Sequence, residues 1–283
     1  MAMDPVTSDV KLVGQLISTS GASELKVHQS HFLSLLLSFS TRQKVVLSPD
    51  SLKMSDDCGD FGSSELGTKE YWDAAYGREL KNFKDIGDVG EIWFGEDVQM
   101  RMVRWVSERS NLPTSARLLD LGCGNGTLLI GLREEEFSDL TGVDYSEGAI
   151  QLAKDVAEKE GVDDINFQVC DILCPKSVST LTKDGSNRFD LCLDKGTYDA
   201  ISLRDPTEPT DRRKYAVHVH SLLNEQGLLV ITSCNWTKDQ LVLHFEKEFE
   251  LLQELPAPSI TFGGQTGQTV TTLILKRKAL DHI

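Results

Sequence analysis

The chain of 283 residues is long enough for one large domain with a buried core. Its formal net charge of −15, from 29 basic and 44 acidic residues, would repel a phosphate backbone, so we expect no direct nucleic-acid partner. No apolar run reaches the roughly 18–20 residues that cross a bilayer, so we expect no membrane partner either.

The cysteines and histidines show no pattern of a metal site. Six cysteines are scattered without a CxxC pair, and six histidines form no HxxxH or HExxH motif. Scattered thiols are typical of a reducing compartment. We therefore expect no metal ion, and a cytoplasmic protein with the nucleus as a second location.

The first 53 residues differ in composition from the rest. They are rich in serine, show no periodicity beyond the run FLSLLLSF, and end just before an internal methionine, Met54. A flexible extension, a targeting segment and translated sequence upstream of the true start all stay open, although the early acids argue against a transit peptide. We expect three parts in chain order: a disordered extension 1–65, an N-terminal helical cap 66–112 and a core 113–278, the last two forming one domain.

Two amphipathic helices are predicted at the start of this domain. The segment TKEYWDAAYGRELKNF has Thr68 as a candidate N-cap and places Trp72 and Tyr76 on one apolar face. After a glycine-containing turn, EDVQMRMVRWVSER predicts a second helix that ends near Pro113. We expect Trp72 and Trp105 in the core, with an aromatic contact to substrate as the alternative for Trp72.

Beyond residue 113, short apolar strands alternate with helices. The predicted strands are Arg117–Leu121, Leu140–Asp144, Ile165–Cys170, Phe189–Asp194 and Leu228–Ser233. The predicted helices are Gly126–Phe137, Glu147–Glu160, Asp211–Leu223 and Thr237–Phe245, with at most a turn of helix in Leu173–Ser186. This alternation predicts an α/β fold whose parallel sheet is covered on both faces by helices.

The last two strand candidates, Phe249–Glu254 and Val270–Lys276, have no helix between them. They should therefore pair antiparallel, as a C-terminal hairpin with a long loop. The complete pattern predicts a Rossmann-like, seven-stranded, mostly parallel sheet, as in Rossmann-like methyltransferases. A plain dinucleotide-binding domain has no reason to end in such a hairpin.

Four aspartates recur at the ends of successive strands. Asp120, Asp144, Asp171 and Asp194 are spaced by 24, 27 and 23 residues, about one strand–helix unit each. The carboxyl ends of parallel strands share one edge of an open sheet, where such folds bind ligands, so the four should line one site. Each alone is also a common helix cap, but four in register favour a site.

The glycine loop after the first strand, LDLGCGNG, indicates a ligand that lies against bare backbone. Asp120 in this loop would repel the pyrophosphate that dinucleotide-binding folds hold there. S-adenosylmethionine (SAM) carries an ammonium and a sulfonium instead, and these suit a carboxylate. We therefore expect SAM as the cofactor, bound by Asp120 and by the loop residues Gly122, Cys123 and Gly124.

Two further strand ends complete the expected cofactor site. Asp144, followed by Tyr145, would accept hydrogen bonds from both ribose hydroxyls. NAD-binding enzymes give the same role to this position, so it indicates a nucleoside without choosing between the two ligands. Asp171 is placed for the adenine amino group, with Ile172 against the ring; a helix cap is the alternative for Asp171.

The end of the fourth strand reads DKGT, where methyltransferases of nucleic-acid base amines carry DPPY or NPPY, so a planar base amine is disfavoured. Six motifs in order and spacing closely resemble the lysine methyltransferases of translation elongation factor 1-alpha, the methyltransferase-like protein 10 family with its fungal counterparts. They are GTKEYWDAAYGREL, GEIWFGE, LDLGCGNG, DKGTYDAISL, ITSCNWTKDQL and FGGQTG. The resemblance runs from about Leu66 to Lys276, and the combination of GEIWFGE with CNWT is its most specific part.

The resemblance implies a SAM-dependent protein-lysine N-methyltransferase whose substrate is elongation factor 1-alpha. It also implies that Trp93, with Glu91 and Phe94, helps to close the cofactor site from the N-terminal side. Cys123 departs from the family, which often has Thr or Ser there. Because the backbone of this residue would make the contact, the departure puts little in doubt.

The resemblance further implies a methyl-transfer point at Asp194, next to the cofactor. A carboxylate raises the pKa of a nearby lysine, so we expect Asp194 to orient the amine by a hydrogen bond and not to act as a strong base. Tyr198 or water would take the proton. Asn235 and Trp236 would lie near the substrate lysine, with Trp236 as part of an aromatic wall.

Three alternatives stay open. A small-molecule methyltransferase would need a substrate lid between late strands, and the loops Arg204–Asp211 and Pro256–Gly267 are short. A non-catalytic binding module that keeps the fold would tolerate degraded glycines or loss of Asp144, and neither is seen. A dehydrogenase is disfavoured by Asp120 and by the closing hairpin. Nothing in the sequence demands more than a monomer, which we expect.

Overall fold

The computed structural model describes residues 64–108, 112–182, 188–204, 210–256, 259–262, 265–268 and 270–279. The interpretations of residues 1–53, and all but the end of the expected extension 1–65, lie outside this range. Among the described helices, none is long and apolar enough to cross a membrane.

The first helix, α1 (Lys69–Ile86), follows a single 3-10 turn, Glu65–Gly67. The hydroxyl of Thr68 accepts a hydrogen bond from the Tyr71 amide and caps the helix, as predicted. Gly87 ends it in the left-handed conformation with φ 75°. The second helix, α2 (Glu96–Ser107), starts after Gly95.

Nine strands and six further helices follow within the described residues. The strands are β1 (Arg117–Leu121), β2 (Asp139–Asp144), β3 (Asn166–Val169), β4 (Phe189–Lys195), β5 (Leu223–Ser233), β6 (Phe249–Leu255), β7 (Ser259–Phe262), β8 (Gln265–Gln268) and β9 (Thr271–Arg277). The helices are α3 (Thr127–Glu134), α4 (Glu147–Lys159), α5 (Pro175–Ser179), α6 (Thr197–Ser202), α7 (Thr210–Leu222) and α8 (Lys238–Phe245).

Seven strands form one sheet in the order β3-β2-β1-β4-β5-β9-β6. The first five run parallel, whereas β9 pairs antiparallel with both β5 and β6. The predicted seven-stranded, mostly parallel sheet with its antiparallel closure is therefore confirmed. Strand order reverses between β1 and β4, which is where open α/β sheets bind ligands.

Alternate residues of the central strands face two separate apolar clusters. Leu191 and Leu193 point to a cluster covered by α1, α2, α3 and α4, whereas Cys192 between them points to a cluster covered by α5, α6, α7 and α8. Helices α1 and α2, predicted as a cap, contribute Tyr76 and Met102 to the first cluster. The cap therefore shares its core with the sheet.

Three elements differ from the predictions. Helix α6 was not predicted, and β5 begins at Leu223 and not at Leu228. The connection between β6 and β9, predicted as a plain loop, contains the two-stranded antiparallel sheet of β7 and β8. The predicted turn of helix after β3 is the short α5.

Candidate functional site

The carboxyl ends of the parallel strands bring the predicted aspartates to one edge of the sheet. In register, Leu121 of β1 lies beside Asp194 of β4, and Asp120 lies beside Gly142 of β2. Asp144 closes β2, and Asp171 follows the end of β3 by two residues. The edge predicted from spacing alone is therefore formed.

The glycine loop between β1 and α3 packs closely against two other elements. Gly122, Gly124 and Gly126 have φ of 71°, 51° and 78°, which disfavours any side chain there. A Cβ atom on Gly122 would lie 2.0 Å from Thr197 Oγ1, and one on Gly124 would lie 2.7 Å from the Tyr76 hydroxyl. The loop is thus held between α1 and the start of α6.

Asp120, in β1 just before this loop, has 3% exposure. Within the described part of the chain, no donor hydrogen-bonds it. Burial raises the pKa of Asp120 to about 7, which the Lys195 ammonium opposes and the Asp144 charge reinforces. A buried acid without a donor is stabilised by a cationic ligand, so this position fits the ammonium of SAM.

Asp144 is the second buried acid of the site. Its Oδ2 accepts a hydrogen bond from the Gly124 amide at 3.2 Å, and its Oδ1 accepts one from the Ser146 amide at 2.9 Å. Burial raises the pKa of Asp144 to about 6, against the effect of these two donors. Each oxygen keeps a free lone pair, which fits the expected bonds from two ribose hydroxyls.

The residues after β2 and β3 only partly match the expected adenosine pocket. Asp171 is exposed, and its Oδ1 accepts a hydrogen bond from the Leu173 amide at 2.9 Å, as a turn cap does. Ile172 is 7% exposed and packs in the second cluster, which corrects the expectation that its side chain faces an adenine ring. Tyr145 is half-buried, with its hydroxyl 3.5 Å from the Thr68 carbonyl oxygen.

The segment 89–95 lies over the glycine loop and the end of β4. The side-chain nitrogen Nδ2 of Asn125 donates to the backbone carbonyls of Val89 and Glu91 at 3.1 and 3.3 Å. Trp93 packs on Trp72 with 5.0 Å between ring centroids. Within the same segment, Phe94 has φ 66° and places its ring against Gly196, where a Cβ would lie 3.1 Å from Phe94 Cζ. The covering segment is therefore held from two sides, and the role of Trp93 in closing a cofactor site stays a prediction.

Asp194 has no exposed surface and is fully hydrogen-bonded. Its Oδ1 accepts from the Thr197 amide at 2.9 Å, and its Oδ2 accepts from the Tyr198 amide at 3.0 Å and from the Tyr215 hydroxyl. Burial raises its pKa to about 7, while these three donors act in the opposite direction. Because the carboxylate has no exposed surface and its three donors come from α6 and α7, it does not present an oxygen to a substrate amine in this structure, which corrects that expectation; it caps α6 and positions the turn.

Tyr198 is also buried, with 1% exposure. Its hydroxyl is hydrogen-bonded to His244 Nδ1 at 2.9 Å, and its ring packs between Tyr215 and Phe245. The hydroxyl therefore faces the second cluster and not the cofactor edge. The expectation that Tyr198 takes the substrate proton is corrected, because no substrate reaches it in this conformation.

The segment after β5 places its two expected substrate residues differently. Trp236 is 2% exposed and donates its indole hydrogen to Ser202 Oγ at 3.1 Å, so it belongs to the core, and the aromatic wall expected of it is corrected. Asn235 is half-buried beside the exposed Cys234, whose thiol donates to its Oδ1 at 3.5 Å. Of the two, Asn235 is the one that a substrate can contact.

Three polar residues of the site, of which Asp199 and Tyr215 are buried and Lys195 is half-buried, were not singled out from the sequence. Asp199 is 5% exposed and accepts hydrogen bonds from the Ser233 hydroxyl and, at 2.8 Å, from the Cys234 amide, and burial raises its pKa to about 6. Lys195 donates to the Trp93 carbonyl at 3.1 Å. The recurrence of acids in DKGTYD was a usable signal for Asp199. Tyr215, in the middle of α7, has none.

No group of three or more His, Cys, Asp or Glu side chains is arranged to hold a metal ion in the described ranges. Burial also raises the pKa of the Cys123 thiol well above its usual value, so this thiol stays protonated. Its side chain is buried, and the loop would meet a ligand with backbone atoms only.

Comparison with known proteins agrees with this geometry. A methyltransferase-domain family matches residues 114–279. EEF1A lysine methyltransferase 2 of Danio rerio is 49% identical over 77% of this chain and 90% of its own length. The Homo sapiens protein of that name is 44% identical over 77% and 89%, and protein-lysine N-methyltransferase EFM4 of Saccharomyces cerevisiae is 37% identical over 76% and 95%.

Solved structures support the fold. A SAM-dependent methyltransferase from Anabaena variabilis matches with TM-score 0.55 and 16% identity over 77% of this chain and 97% of that one. The N-methyltransferase NodS from Bradyrhizobium japonicum, in complex with S-adenosyl-L-homocysteine, matches with TM-score 0.54 and 15% identity over 74% and 99%. With its fold, its acidic cofactor edge and these relatives, the chain belongs to the EEF1A lysine methyltransferase 2 family of SAM-dependent methyltransferases.

Proposed function

We propose that this protein transfers a methyl group from SAM to the ε-amine of a lysine in translation elongation factor 1-alpha. The observation that carries the proposal is the Asp120 carboxylate, buried without a donor beside the glycine loop. It suits the cationic end of SAM and opposes an anionic pyrophosphate. Relatives that are 37–49% identical over most of their length bear the names of lysine methyltransferases.

Different residues of the site would bind different groups of the cofactor. Asp120 would pair with the ammonium, and Asp144 would accept the ribose hydroxyls while it holds the Gly124 amide in place. When bound, SAM supplies an electrophilic methyl group on a sulfonium. The chain contributes position above all, because an in-line displacement needs the amine about 3 Å from the methyl carbon.

The proton of the lysine is best released to water. A free lysine has a pKa of about 10.4, so the reactive neutral form is scarce at neutral pH. The nearby acids, Asp194 and Asp199, are buried and already hydrogen-bonded on both oxygens, and Tyr198 points into the core. Asn235, half-buried at the end of β5, remains as the side chain that can accept a hydrogen bond from the amine.

The substrate class follows from the family, and its identity belongs to the proposal. A protein that binds RNA presents basic surface, and a chain with net charge −15 would attract it. We further propose a monomeric enzyme that works in the cytoplasm, with the nucleus as a second location, and that contacts its protein substrate directly without nucleic acid or membrane.

The test is methyl transfer from radiolabelled SAM to purified elongation factor 1-alpha, with the labelled residue identified by mass spectrometry. Wild type should label one lysine, Asp120→Asn should lose most of this activity, and the exposed Asp163→Asn should behave as wild type. Label that appears only in small molecules of a lysate would favour the small-molecule alternative. SAM binding without any transfer would favour the binding module.

A further inference from the structure

A second cavity, of about 710 Å³, lies at the edge of the sheet opposite the cofactor site. Arg188, in its wall, immediately precedes β4, whose other end carries Asp194. Lys276 of β9, also in its wall, pairs in register with Leu228, whereas Ser233 lies at the carboxyl end of β5. The cavity is therefore formed at the amino ends of the parallel strands, away from the cofactor.

The wall of this cavity carries an excess of positive charge. Four basic and two acidic side chains line it, a local excess of two positive charges: Arg188, Lys276, Arg277, Lys278, Glu225 and Glu250. The whole chain carries a net charge of −15. A basic cavity in so acidic a protein is not explained by its average composition.

Arg188 is the first sign that the cavity is adapted to a ligand. Its Nε is buried and has no hydrogen-bond partner. Within the described ranges its guanidinium also makes no ion pair, although it has five donors in a fixed fork. Buried polar groups are normally satisfied, and each exception calls for an explanation such as an unplaced ion.

Arg277 and Lys276 also keep unused donors in the described structure. The Nε–H of Arg277 donates to the His220 carbonyl at 3.1 Å, but its two terminal nitrogens find no acceptor among the described residues. Lys276 lies opposite Glu250 on β6, yet no ion pair joins them within 4.0 Å. Lys278, by contrast, uses its ammonium on the Glu246 carbonyl at 2.6 Å and is not available.

The two arginines lie close enough to repel each other. Burial lowers the pKa of Arg277, and the neighbouring Arg188 charge lowers it further, against the opposing effect of Glu225. Two guanidiniums and an ammonium that line one cavity, and that form no ion pair with Glu225 or Glu250 of the same wall in the described structure, are stabilised by an anion placed between them. Planar forks suit the oxygens of phosphate, which accept two parallel hydrogen bonds from each arginine.

We propose that the cavity lined by Arg188, Lys276 and Arg277 binds the phosphate group of a small phosphorylated molecule. Three cations in the wall of one cavity match a dianionic phosphate better than a single carboxylate. The volume lies within the roughly 300–1,000 Å³ of small-molecule sites, larger than inorganic phosphate requires. A long polyanion such as RNA is disfavoured, because the rest of the surface would repel it.

Calorimetric titration tests this site separately from catalysis. The protein is first saturated with S-adenosylhomocysteine, so that the cofactor site is filled, and is then titrated with inorganic phosphate or with adenosine monophosphate at constant ionic strength. Wild type should bind, and the double variant Arg188→Gln/Arg277→Gln should bind at least tenfold more weakly. The matched control is Arg78→Gln/Lys81→Gln, which removes the same charge from the exposed surface of α1.

The outcomes separate the two sources of the phosphate. Equal affinity for both probes supports a site that reads the phosphate alone, and tighter binding of the nucleotide supports a site that also holds the attached group. Absence of binding by wild type overturns the proposal, whatever the variants do. If the double variant misfolds, as judged by loss of S-adenosylhomocysteine binding, Lys276→Gln replaces it, and unchanged affinity in that variant would overturn the assigned cluster.

Discussion

The ammonium of Lys195, at the end of β4, donates a hydrogen bond to the backbone carbonyl of Trp93 at 3.1 Å. This contact joins the end of β4 to the segment 89–95, which lies over the glycine loop. Burial lowers the pKa of Lys195, whereas the charges of Asp120, Asp194 and Glu91 raise it. The same ammonium therefore holds the segment 89–95 in place and helps to keep Asp120 ionised.

Replacement of this lysine should weaken cofactor binding in a pH-dependent way. In Lys195→Met the tether is lost and the pKa of Asp120 should rise above about 7, because Lys195 no longer stabilises its charge. We expect the affinity for SAM to fall about tenfold at pH 7.5 and to recover partly at pH 9. Isothermal titration at several pH values measures this. Lys195→Arg keeps the charge and should retain the wild-type pH profile; equal profiles for Lys195→Met and wild type would contradict the idea.

Asp120→Asn should separate stability from cofactor affinity. The substitution removes a buried charge that no donor satisfies in the described structure, so the melting temperature of the free protein should stay equal or rise. A charged hydrogen bond contributes about 1.5–3 kcal/mol, so the affinity for SAM should fall roughly 10- to 150-fold. Calorimetry on the two variants Asp120→Asn and Asp163→Asn, at pH 8, gives both numbers. A stable variant with unaltered SAM affinity would remove Asp120 from the cofactor site.

The free protein should lose stability as the pH rises from 5 to 7.5. The pKa values of Asp120 and Asp194 are raised to about 7, and those of Asp144 and Asp199 to about 6, from 3.8. At a pH between 3.8 and the raised pKa of each acid, the folded state binds more protons than the unfolded state. The free energy of unfolding therefore falls as the pH rises, by up to about 1.4 kcal/mol per pH unit for each acid.

Thermal unfolding at constant ionic strength should show this decrease, and Asp120→Asn should make it shallower. Saturating SAM should also reduce it, since the ligand favours the ionised form of Asp120. A melting temperature that rises over the same interval would contradict the raised pKa values.

Asp194→Asn should act on folding more than on chemistry. The side-chain amide has one acceptor oxygen where the carboxylate has two, so it cannot serve the Thr197 amide on one side and the Tyr198 amide with the Tyr215 hydroxyl on the other; a buried donor is left unsatisfied at a cost of about 1–3 kcal/mol. We expect a lower melting temperature, with kcat per folded molecule reduced less than tenfold. If Asp194 oriented the substrate amine directly, kcat would fall far more while stability stayed constant.

Tyr198→Phe gives the matching test for the expected proton acceptor. It removes the hydrogen bond from the Tyr198 hydroxyl to His244, so stability should fall by about 1 kcal/mol and kcat should change less than threefold. The pH–rate profile should keep its shape. Loss of the basic limb of that profile would show that Tyr198 does take the substrate proton.

Salt should weaken the encounter with a basic protein substrate. With a net charge of −15, long-range attraction should fall as the Debye length shrinks from about 10 Å at 0.1 M salt. We expect KM for elongation factor 1-alpha to rise several-fold between 50 and 300 mM salt, while KM for SAM stays within twofold. If KM for elongation factor 1-alpha did not change with salt, the acidic surface would not attract the substrate.

The sequence predicted the sheet, and the edge at which its aspartates meet, for physical reasons. Apolar runs such as Arg117–Leu121 form buried parallel strands, and strand ends then determine where Asp120 and Asp144 lie. Burial of a motif residue was harder to predict, since it depends on distant elements. Tyr215 of α7 satisfies Asp194, and Ser202 of α6 satisfies Trp236, and neither partner is adjacent in sequence.

Helix α6 illustrates the same limit. It has only six residues, Thr197–Ser202, too few to show a helical period. Its start is fixed by hydrogen bonds from the Thr197 and Tyr198 amides to the Asp194 carboxylate, at 2.9 and 3.0 Å. The acid that resembled a catalytic residue in the sequence is therefore the cap of a helix that the sequence did not reveal.

The contact between Gly122 and Thr197 links the two best-defined motifs of the chain. The Thr197 hydroxyl donates to the Leu121 carbonyl at 2.6 Å and occupies the space that a side chain at position 122 would need. The glycine loop and the DKGT turn are thus a single interlocking part, although 74 residues separate Gly122 from Gly196. A chimera that exchanges one of them with a distant methyltransferase would have to exchange the other, so the two motifs should be inherited and engineered as a pair.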